Sequence, residues 1–429
     1  MTTAATHRAI EAVWRIEAAK VIAYVARVVR DVGVAEELAQ DALVAALEHW
    51  PEAGVPDNPG AWLMATAKNR ALDRLRLDSL HARKHEELGL DLDALEAHVV
   101  PDFVDALDAA REDDIGDDLL RLVFTACHPV LSTDARVALT LRLLGGLTTD
   151  EIARGFLVPE ATIAQRIVRA KRTLSAAKVP FEVPQADARA VRLASVLEVI
   201  YLIFNEGYSA TAGDDWMRPA LCEEALRLGR VLAGLVPGES EVHGLVALME
   251  IQASRIPART GPDGALVTLL EQDRGRWNRL LITHGLAALA KAAACAGSAE
   301  SEPGPYVIQA ELAACHARAG TAADTDWHRI VALYETLGAL APSPVIELNR
   351  AVAVAMADGP AQALAIVDSL EGDPALRGYH LLPAVRGDLL ARLGRTGQAR
   401  QEFERAAALT ANDSERAHLL RRAAAANAG

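Results

Sequence analysis

Residues 147–174 read LTTDEIARGFLVPEATIAQRIVRAKRTL, the pattern of two short helices joined by a tight turn. Thr148 and Glu151 have the spacing of a capping box, which predicts a first helix through Arg154. FLVPE is the turn, because Pro159 can stand at the start of the next helix, where no amide donor is needed. The stretch therefore predicts a helix-turn-helix unit.

The second helix of this unit has one apolar and one basic side. Residues 162–178 contain five basic side chains and no Asp or Glu. In a helix-turn-helix, the second helix enters the major groove of DNA, where early residues reach bases and later cations reach phosphates. A helical hairpin with a basic face can exist without DNA, but the cation density and the turn length favour DNA. The predicted apolar seam is Ile163, Ile167, Ala170 and Leu174, and the predicted outer face is Thr162, Gln165, Arg166, Arg169 and Arg172.

The composition favours an all-helical chain. Of 429 residues, 51% are hydrophobic and only 4% aromatic, with many Ala and Leu, which are strong helix formers. The length predicts two to four domains. No apolar run approaches the length that spans a bilayer, and the N-terminus lacks the apolar core of a signal peptide. The lack of a bilayer-spanning run predicts that the protein contacts no membrane. Four cysteines without C-x-x-C spacing predict reduced thiols in a cytoplasmic protein. They are Cys127, Cys222, Cys295 and Cys315.

The charges are unevenly distributed along a chain of formal net charge −14. A second basic island lies at residues 66–84, and an acidic stretch at 85–118 separates it from the first. Two basic islands on an acidic background indicate two separate contacts with a polyanion. The alternative interpretation is that both are solvated helix faces.

Two earlier segments carry related patterns. GVAEELAQDALVAALEHW, from Gly33, predicts a helix with an acidic stripe opposite its apolar side. NPGAWLMATAKNRALDRLR, from Asn58, predicts a helix whose short polar side chains alternate with cations, as contacts to base edges and phosphates require. The predicted apolar positions are Ala39, Leu43, Ala46 and Trp50 in the first helix and Leu63, Ala67, Ala71 and Leu75 in the second.

The order of these segments resembles a bacterial RNA polymerase sigma factor of the extracytoplasmic-function (ECF) type. AEELAQDALVAALEHW resembles the helix that binds the polymerase clamp, and NPGAWLMATAKNRALDRLR resembles the segment that reads the promoter −10 element. STDARVALTLRLLGGLTTDEIARGFLVPEATIAQRIVRAKRTL resembles the domain that reads the −35 element. The resemblance covers about residues 1–178 and implies an all-α fold with core RNA polymerase and promoter DNA as partners.

The resemblance also implies a domain division. Region 2 would occupy 1–80, an acidic linker 81–117, region 4 with the helix-turn-helix 118–178, and a helical extension 179–429, similar to tetratricopeptide (TPR) repeats from about 305. In such proteins the linker threads toward the catalytic cleft. An acidic linker suits a segment that mimics nucleic acid charge there, and a plain spacer is an equal alternative.

Individual roles follow from the same resemblance. Trp62 is interpreted as a core residue rather than a base-stacking wedge, and His128 as a packed or capping residue. Core-polymerase contacts are assigned to Glu37, Gln40, Asp41 and Glu48. Contacts to the −10 element are assigned to Asp57, Asn58, Lys68, Asn69, Arg70, Asp73, Arg74 and Arg76. Contacts to the −35 element are assigned to Thr162, Gln165, Arg166, Arg169, Lys171 and Arg172.

The remaining residues, 181–429, show a weak helical-repeat pattern. Small residues and one aromatic recur at TPR spacings, and equivalent positions lie 33 and 36 residues apart, close to the expected 34. Stacked helix pairs of this kind form a groove for a protein or peptide partner. The positions are Gly387, Gly394, Ala399, Phe403 and Ala406, with Ile330 and Ala363 upstream.

The extension also contains a group of polar and aromatic residues that has two possible interpretations. One is a sensory or docking surface, and the other is a set of internal salt bridges with an aromatic anchor. The residues are Asn205, Glu206, Tyr208, Asp273, Arg274 and Trp277.

Three functions compete at this point. A sigma factor acts only with core polymerase, whereas a helix-turn-helix regulator with a TPR-like domain binds an operator alone and leaves the 33–76 motifs unexplained. An enzyme needs a catalytic constellation, and the sequence has no Ser/His/Asp order, phosphate loop or metal-ligand spacing. We therefore expect a sigma factor without catalytic residues, metal or cofactor, controlled in cis by its extension.

Overall fold

The computed structural model describes residues 3–88, 112–210, 217–262, 266–295 and 303–426. These residues form 18 α-helices and three short 3₁₀ turns, and they include an isolated antiparallel β-bridge between Thr260 and Leu266. The all-α prediction is confirmed. The chain divides into two compact units, an N-terminal unit of residues 1–199 and a C-terminal unit of residues 200–429.

The N-terminal unit begins with three long helices. Close packing follows from alanines, because Ala35, Ala39, Ala42 and Ala46 line one side of the second helix and are completely buried. The predicted apolar positions of these helices lie inside, although Leu43 and Leu75 are only half-buried. The helices are α1 (Thr3–Val29), α2 (Val32–Ala53) and α3 (Pro59–Leu88).

Four shorter helices follow in the same unit. The ends of the predicted linker, 81–88 and 112–117, are helical, since α3 continues to Leu88 and the next helix starts at Glu112. The middle of that linker, 89–111, lies outside the described residues. The helices are α4 (Glu112–Ala126), α5 (Thr133–Leu143), α6 (Thr149–Phe156) and α7 (Glu160–Ala176).

The start of helix α8 (Ala186–Tyr208) covers α4 and α5. Arg192 donates to the Phe124 carbonyl (2.6 Å), and the Ser195 hydroxyl donates to the Cys127 carbonyl (2.7 Å). Arg136 of α5 also pairs with Glu198 at 2.9 Å. These contacts carry the N-terminal unit past residue 178, where the sequence pattern of region 4 ends.

The C-terminal unit continues with ten helices among the residues that the structure describes. From residue 327 onward, each helix packs chiefly on the helix before it and the helix after it, which is the packing of a helical repeat. The helices are α9 (Pro219–Leu235), α10 (Ser240–Ala253), α11 (Arg279–Cys295), α12 (Pro305–Arg318), α13 (Trp327–Leu340), α14 (Pro344–Ala357), α15 (Pro360–Leu370), α16 (Leu381–Arg392), α17 (Thr396–Leu409) and α18 (Asp413–Ala426).

The repeat positions predicted from the sequence lie in the core of this unit, except Gly394, which is exposed. A Cβ atom on Gly387 would stand 3.0 Å from the Phe403 ring and 3.2 Å from the Ala399 carbonyl, so a larger residue would require α16 and α17 to move slightly apart. Gly394, in the turn between the two helices, has φ +75°, a conformation that favours glycine. The small residues therefore set the helix spacing, as the repeat interpretation requires.

Most of the polar and aromatic residues that have two possible interpretations, from Glu206 to Trp277, make contacts within the extension. Arg274 is buried and donates to the carbonyls of His316 and Ala319, both at 2.8 Å. Trp277 is buried against Arg274, whose guanidinium lies 5.1 Å from the centre of the indole ring. Asp273 caps the 274–276 turn, Glu206 pairs with Arg218, and the Tyr208 ring lies under Arg259. These contacts favour the interpretation as internal bridges with an aromatic anchor.

The cysteines are free, as expected. Burial raises the pKa of the Cys127 thiol to about 11 and that of Cys222 to about 12, so both stay protonated at neutral pH. Among the described helices, none combines the length and the apolar character needed to cross a bilayer.

Candidate nucleic-acid interface

The helix-turn-helix forms as the sequence predicts. The Thr148 hydroxyl accepts from the Glu151 amide (3.1 Å), and the Glu151 carboxylate accepts from the Thr148 amide (2.8 Å), which completes the capping box. Helix α6 continues to Phe156, two residues further than predicted. Leu157 turns the chain in the left-handed region (φ 49°), and Pro159 is the N-cap residue of α7.

Helix α7 presents a mixed polar and apolar outer face. The predicted seam of Ile163, Ile167, Ala170 and Leu174 is buried. Gln165, Arg169 and Arg172 are exposed, and they alternate with exposed Ala161, Ala164 and Val168, which sequence reasoning missed. Val168 is 46% exposed, and an exposed methyl group between cations can contact the C5-methyl of thymine. Ala164 and Val168 are four residues apart, which places them on one helix face next to Gln165. This spacing could have predicted from the sequence that both are exposed.

Two of the predicted DNA contacts are half-buried and form ion pairs with other helices of the protein. Arg166 is half-buried and pairs with Asp134 of α5 at 3.1 Å. Lys171 pairs with Glu36 of α2. Thr162 is half-buried as well. The face that is open to a ligand in this structure is therefore narrower than the predicted set, and it centres on Gln165, Arg169 and Arg172.

Glu36 joins helices from both ends of the N-terminal unit. Its carboxylate is 3% exposed and is shared by Arg142 of α5 (2.6 Å) and Lys171 of α7, while Gln40 donates to it at 2.5 Å. The sequence assignment omitted Glu36. Its spacing to Ala39 and Leu43 places it on the buried side of α2, where a carboxylate requires partners, and this was the available signal.

The outer face of α2 carries the acidic stripe. Glu37, Asp41 and Glu48 are exposed, and Gln40 is half-buried. Val44, 49% exposed, lies within this stripe and was missed from the sequence. A face of carboxylates around an exposed aliphatic side chain suits a basic protein surface with an apolar spot.

The start of α3 is set by a polar cap and an aromatic pair. Asn58 accepts from the Ala61 amide at 3.0 Å and caps the helix, while Asp57 is exposed. The Trp62 ring packs edge-on against Trp50 with centroids 5.3 Å apart. Trp62 is half-buried, which agrees with a packing role.

Further along α3, the predicted −10 residues lie on its accessible side. Asn69, Asp73, Arg74 and Arg76 are exposed, and Lys68 and Arg70 are half-buried. Arg70 pairs with Asp41 of α2 at 3.2 Å, so a predicted DNA contact and a predicted polymerase contact neutralise each other here. Arg76 pairs with Asp73 at 3.1 Å. These pairs are accessible to water and contribute about 0–1 kcal/mol each, so a polyanion can displace them.

His128 has a structural role. Its Nδ1 accepts from the Val130 amide at 3.1 Å, as a capping residue does, and burial together with the charge of Arg192 lowers its pKa. The described residues hold no group of three or more His, Cys, Asp or Glu placed to bind a metal ion.

Comparison with known families agrees with this geometry. Sigma-70 region 2 matches residues 14–79, which include α2 and most of α3, and Sigma-70, region 4 matches residues 121–174, which include the helix-turn-helix. A family of unknown function, DUF6596, matches residues 192–293 of the extension.

Similar proteins fall into two groups. An uncharacterized protein of Rhizobium meliloti (strain 1021) is 46% identical over 394 residues, 92% of this chain and 90% of that protein. The ECF RNA polymerase sigma factor SigK of Mycobacterium ulcerans (strain Agy99) is 32% identical over 159 residues, 36% of this chain and 78% of SigK. SigK of Mycobacterium tuberculosis (strain H37Rv) shows the same identity and shares.

No solved structure matches this chain significantly. Both sigma-70 regions match in order at the two helical segments described above, and most of the length of SigK is covered. The chain therefore belongs to the sigma-70 family of RNA polymerase sigma factors, as an ECF-type member with a helical C-terminal extension.

Proposed function

We propose that this chain binds core RNA polymerase through the outer face of α2, reads the −10 element with α3 and the −35 element with α7, and is regulated in cis by its extension. The observation that carries the proposal is the separation of charge on the N-terminal unit. Exposed carboxylates lie on α2, whereas exposed cations lie on α3 and α7. An acidic face suits a basic protein surface, and basic faces suit DNA.

Each role has its own group of side chains. Glu37, Asp41 and Glu48, around Val44, would bind the polymerase clamp. Asp57 would hold a flipped −10 base, while Asn69, Arg74 and Arg76 contact bases and backbone there. On α7, Gln165 would reach −35 bases, with Arg169 and Arg172 on phosphates. Arg166 and Lys171 join this set only when Asp134 and Glu36 release them.

The extension would act on the sigma domains rather than on DNA. Residues 181–429 carry 23 basic and 30 acidic side chains, so promoter phosphates would repel them. Stacked helices also form a surface suited to a protein or peptide partner. The chemistry of transcription belongs to the polymerase, so no catalytic residue or cofactor is assigned, and the place of action is the cytoplasm.

Run-off transcription tests this function. Core polymerase with the full-length chain should initiate at one promoter position, and core polymerase alone should not. Specific binding of a promoter duplex by the chain without polymerase, with no gain in initiation, would instead identify a helix-turn-helix regulator that acts alone.

A further inference from the structure

A cavity of about 660 Å³ opens between the end of α1, the start of α2, helix α4 and the last turns of α7. All of these elements belong to the N-terminal unit. Five cations line the cavity, from three different segments of the chain. They are Arg27, Arg30, Arg121, Lys171 and Lys178.

The ion pairs around the cavity leave positive charge in excess. Arg27 and Arg121 share the buried carboxylate of Asp118, at 3.1 and 2.5 Å. Lys171 shares Glu36 with a second cation, Arg142. Two carboxylates are thus each held by two cations. The carboxylates that line the cavity itself are Asp31 and Glu182, so five lining cations face two lining carboxylates.

Arg30 and Lys178 carry the accessible part of this charge. Both side chains are exposed, and neither makes an ion pair with another described residue. Both also have left-handed backbones, with φ of 54° and 48°, within two residues of the ends of α1 and α7. Glycine adopts this conformation without strain, yet at both positions a cation lines the cavity instead. Strained residues of this kind concentrate at binding sites.

The cavity wall also has an apolar part. Val32, Leu174 and Val179 contribute aliphatic groups, and Phe181 contributes a half-buried aromatic ring. An aromatic ring beside a set of cations offers a stacking surface for a nucleobase together with donors for its phosphates.

We propose that this cavity is a binding site for a nucleoside polyphosphate, with the phosphates on Arg30 and Lys178 and the base against Phe181. Such a ligand would bridge α1 and α7 and stabilise the arrangement in which Lys171 lies on Glu36, away from DNA. The site does not depend on which promoter the protein reads.

Calorimetric titration of the full-length chain with ATP, inorganic tripolyphosphate and adenosine, at about 150 mM salt, tests the site. ATP should bind one-to-one, tripolyphosphate more weakly, and adenosine not measurably. Arg30→Glu and Lys178→Glu should each raise the Kd for ATP and for tripolyphosphate about tenfold or more. Arg30→Gln and Lys178→Gln should give smaller losses in the same direction. Phe181→Ala should weaken ATP alone.

The matched control is Arg8→Glu, which makes the same charge change at an exposed position of α1 away from the cavity. Melting curves verify that each variant is folded. The proposal is overturned if ATP shows no saturable binding, or if Arg8→Glu weakens binding as much as the cavity variants do. It is also overturned if Phe181→Ala leaves ATP affinity unchanged, or if duplex DNA is the only polyanion whose binding depends on Arg30 and Lys178.

Discussion

The proposed function assigns external partners to single side chains that also pair with each other inside the free protein. Asp41 and Arg70 are paired with each other at 3.2 Å, although the proposed function assigns one to polymerase and the other to DNA. Because both are partly open to water, the pair is weak and each member is available to a stronger partner. The same holds for Arg166, which Asp134 holds in the free protein.

Polymerase binding should depend on the charge of Asp41. Asp41→Arg replaces attraction to a basic clamp by repulsion, at a cost of about 2–5 kcal/mol for a desolvated contact, and Asp41→Asn should cost less. Co-purification with core polymerase measures the loss. Glu11→Arg, which reverses an exposed charge on α1, is the control. If Asp41→Arg is retained as well as the wild-type chain, the outer face of α2 is not the polymerase contact.

The early and late residues of α7 should contribute differently to promoter binding, the early ones by contacting bases and the late ones by contacting phosphates. Arg172→Ala should weaken binding to all DNA sequences alike, as loss of a phosphate contact does. The slope of the logarithm of the binding constant against the logarithm of the salt concentration (the salt slope) should decrease in magnitude by about one. Arg166→Ala should cost about 1–3 kcal/mol on the cognate −35 element and relax the preference there, if Arg166 leaves Asp134 to reach a base. Binding titrations of holoenzyme on matched and mismatched duplexes measure both. Equal, sequence-independent losses would contradict base reading by Arg166.

At the level of elements, local sequence patterns were sufficient to predict the helices, but they did not predict the contacts between helices. The capping box at Thr148 and the four-residue spacing in α7 are local, so the sequence predicted the helix-turn-helix closely. Glu36 meets Arg142 and Lys171 across more than 100 residues, and no local pattern specifies such a pairing. Val44 and Val168 were missed because apolar residues were assumed to face inward.

Glu36→Gln should loosen the junction of α2, α5 and α7. Removing a carboxylate that two cations share leaves those half-buried cations side by side, which should lower the free energy of unfolding by about 2–3 kcal/mol. Released Lys171 should then raise the salt slope of DNA binding by about one. The adjacent, exposed Glu37→Gln is the control for stability. Denaturant unfolding and salt titrations measure the two effects, and a Glu36→Gln variant as stable as Glu37→Gln would contradict the shared-carboxylate account.

The stability of the extension should depend on pH because of the buried side chain of His316. Burial, and then the charges of Arg255 and Arg274, lower the pKa of His316 from 6.5 to about 3. The unfolded chain therefore binds a proton below pH 6.5 that the folded chain does not, and stability falls as the pH falls. Between pH 7 and pH 5 this loss should be roughly 1–2 kcal/mol.

Thermal unfolding of the full chain at several pH values measures this dependence. His316→Gln should reduce the loss on acidification, whereas His328→Gln, at an exposed position of α13, should not. An unchanged pH dependence in His316→Gln would show that other groups govern the acid response.

At the scale of the whole molecule, the two units differ in charge, and the proposed function gives them different roles. Cationic helix faces lie in the N-terminal unit, and the extension is acidic, so DNA binding is expected from the first alone. The sequence pattern of region 4 ends at 178, but Arg192 and Ser195 still cover the core of α4 and α5. A fragment that ends at Pro180 would uncover this core, so residues 1–199 are the better minimal sigma unit.

The most direct test of the account compares core polymerase with the full-length chain and with residues 1–199 in single-round run-off transcription from the same promoter. Circular dichroism and co-purification with core polymerase verify that the fragment is folded and bound. The account predicts a promoter-specific transcript that requires the sigma chain. It also predicts a lower yield from the fragment, because we propose that the extension regulates the factor by bracing its active form. No promoter-specific transcript from either holoenzyme would contradict the proposed initiation function, and equal yields from both would contradict regulation by the extension.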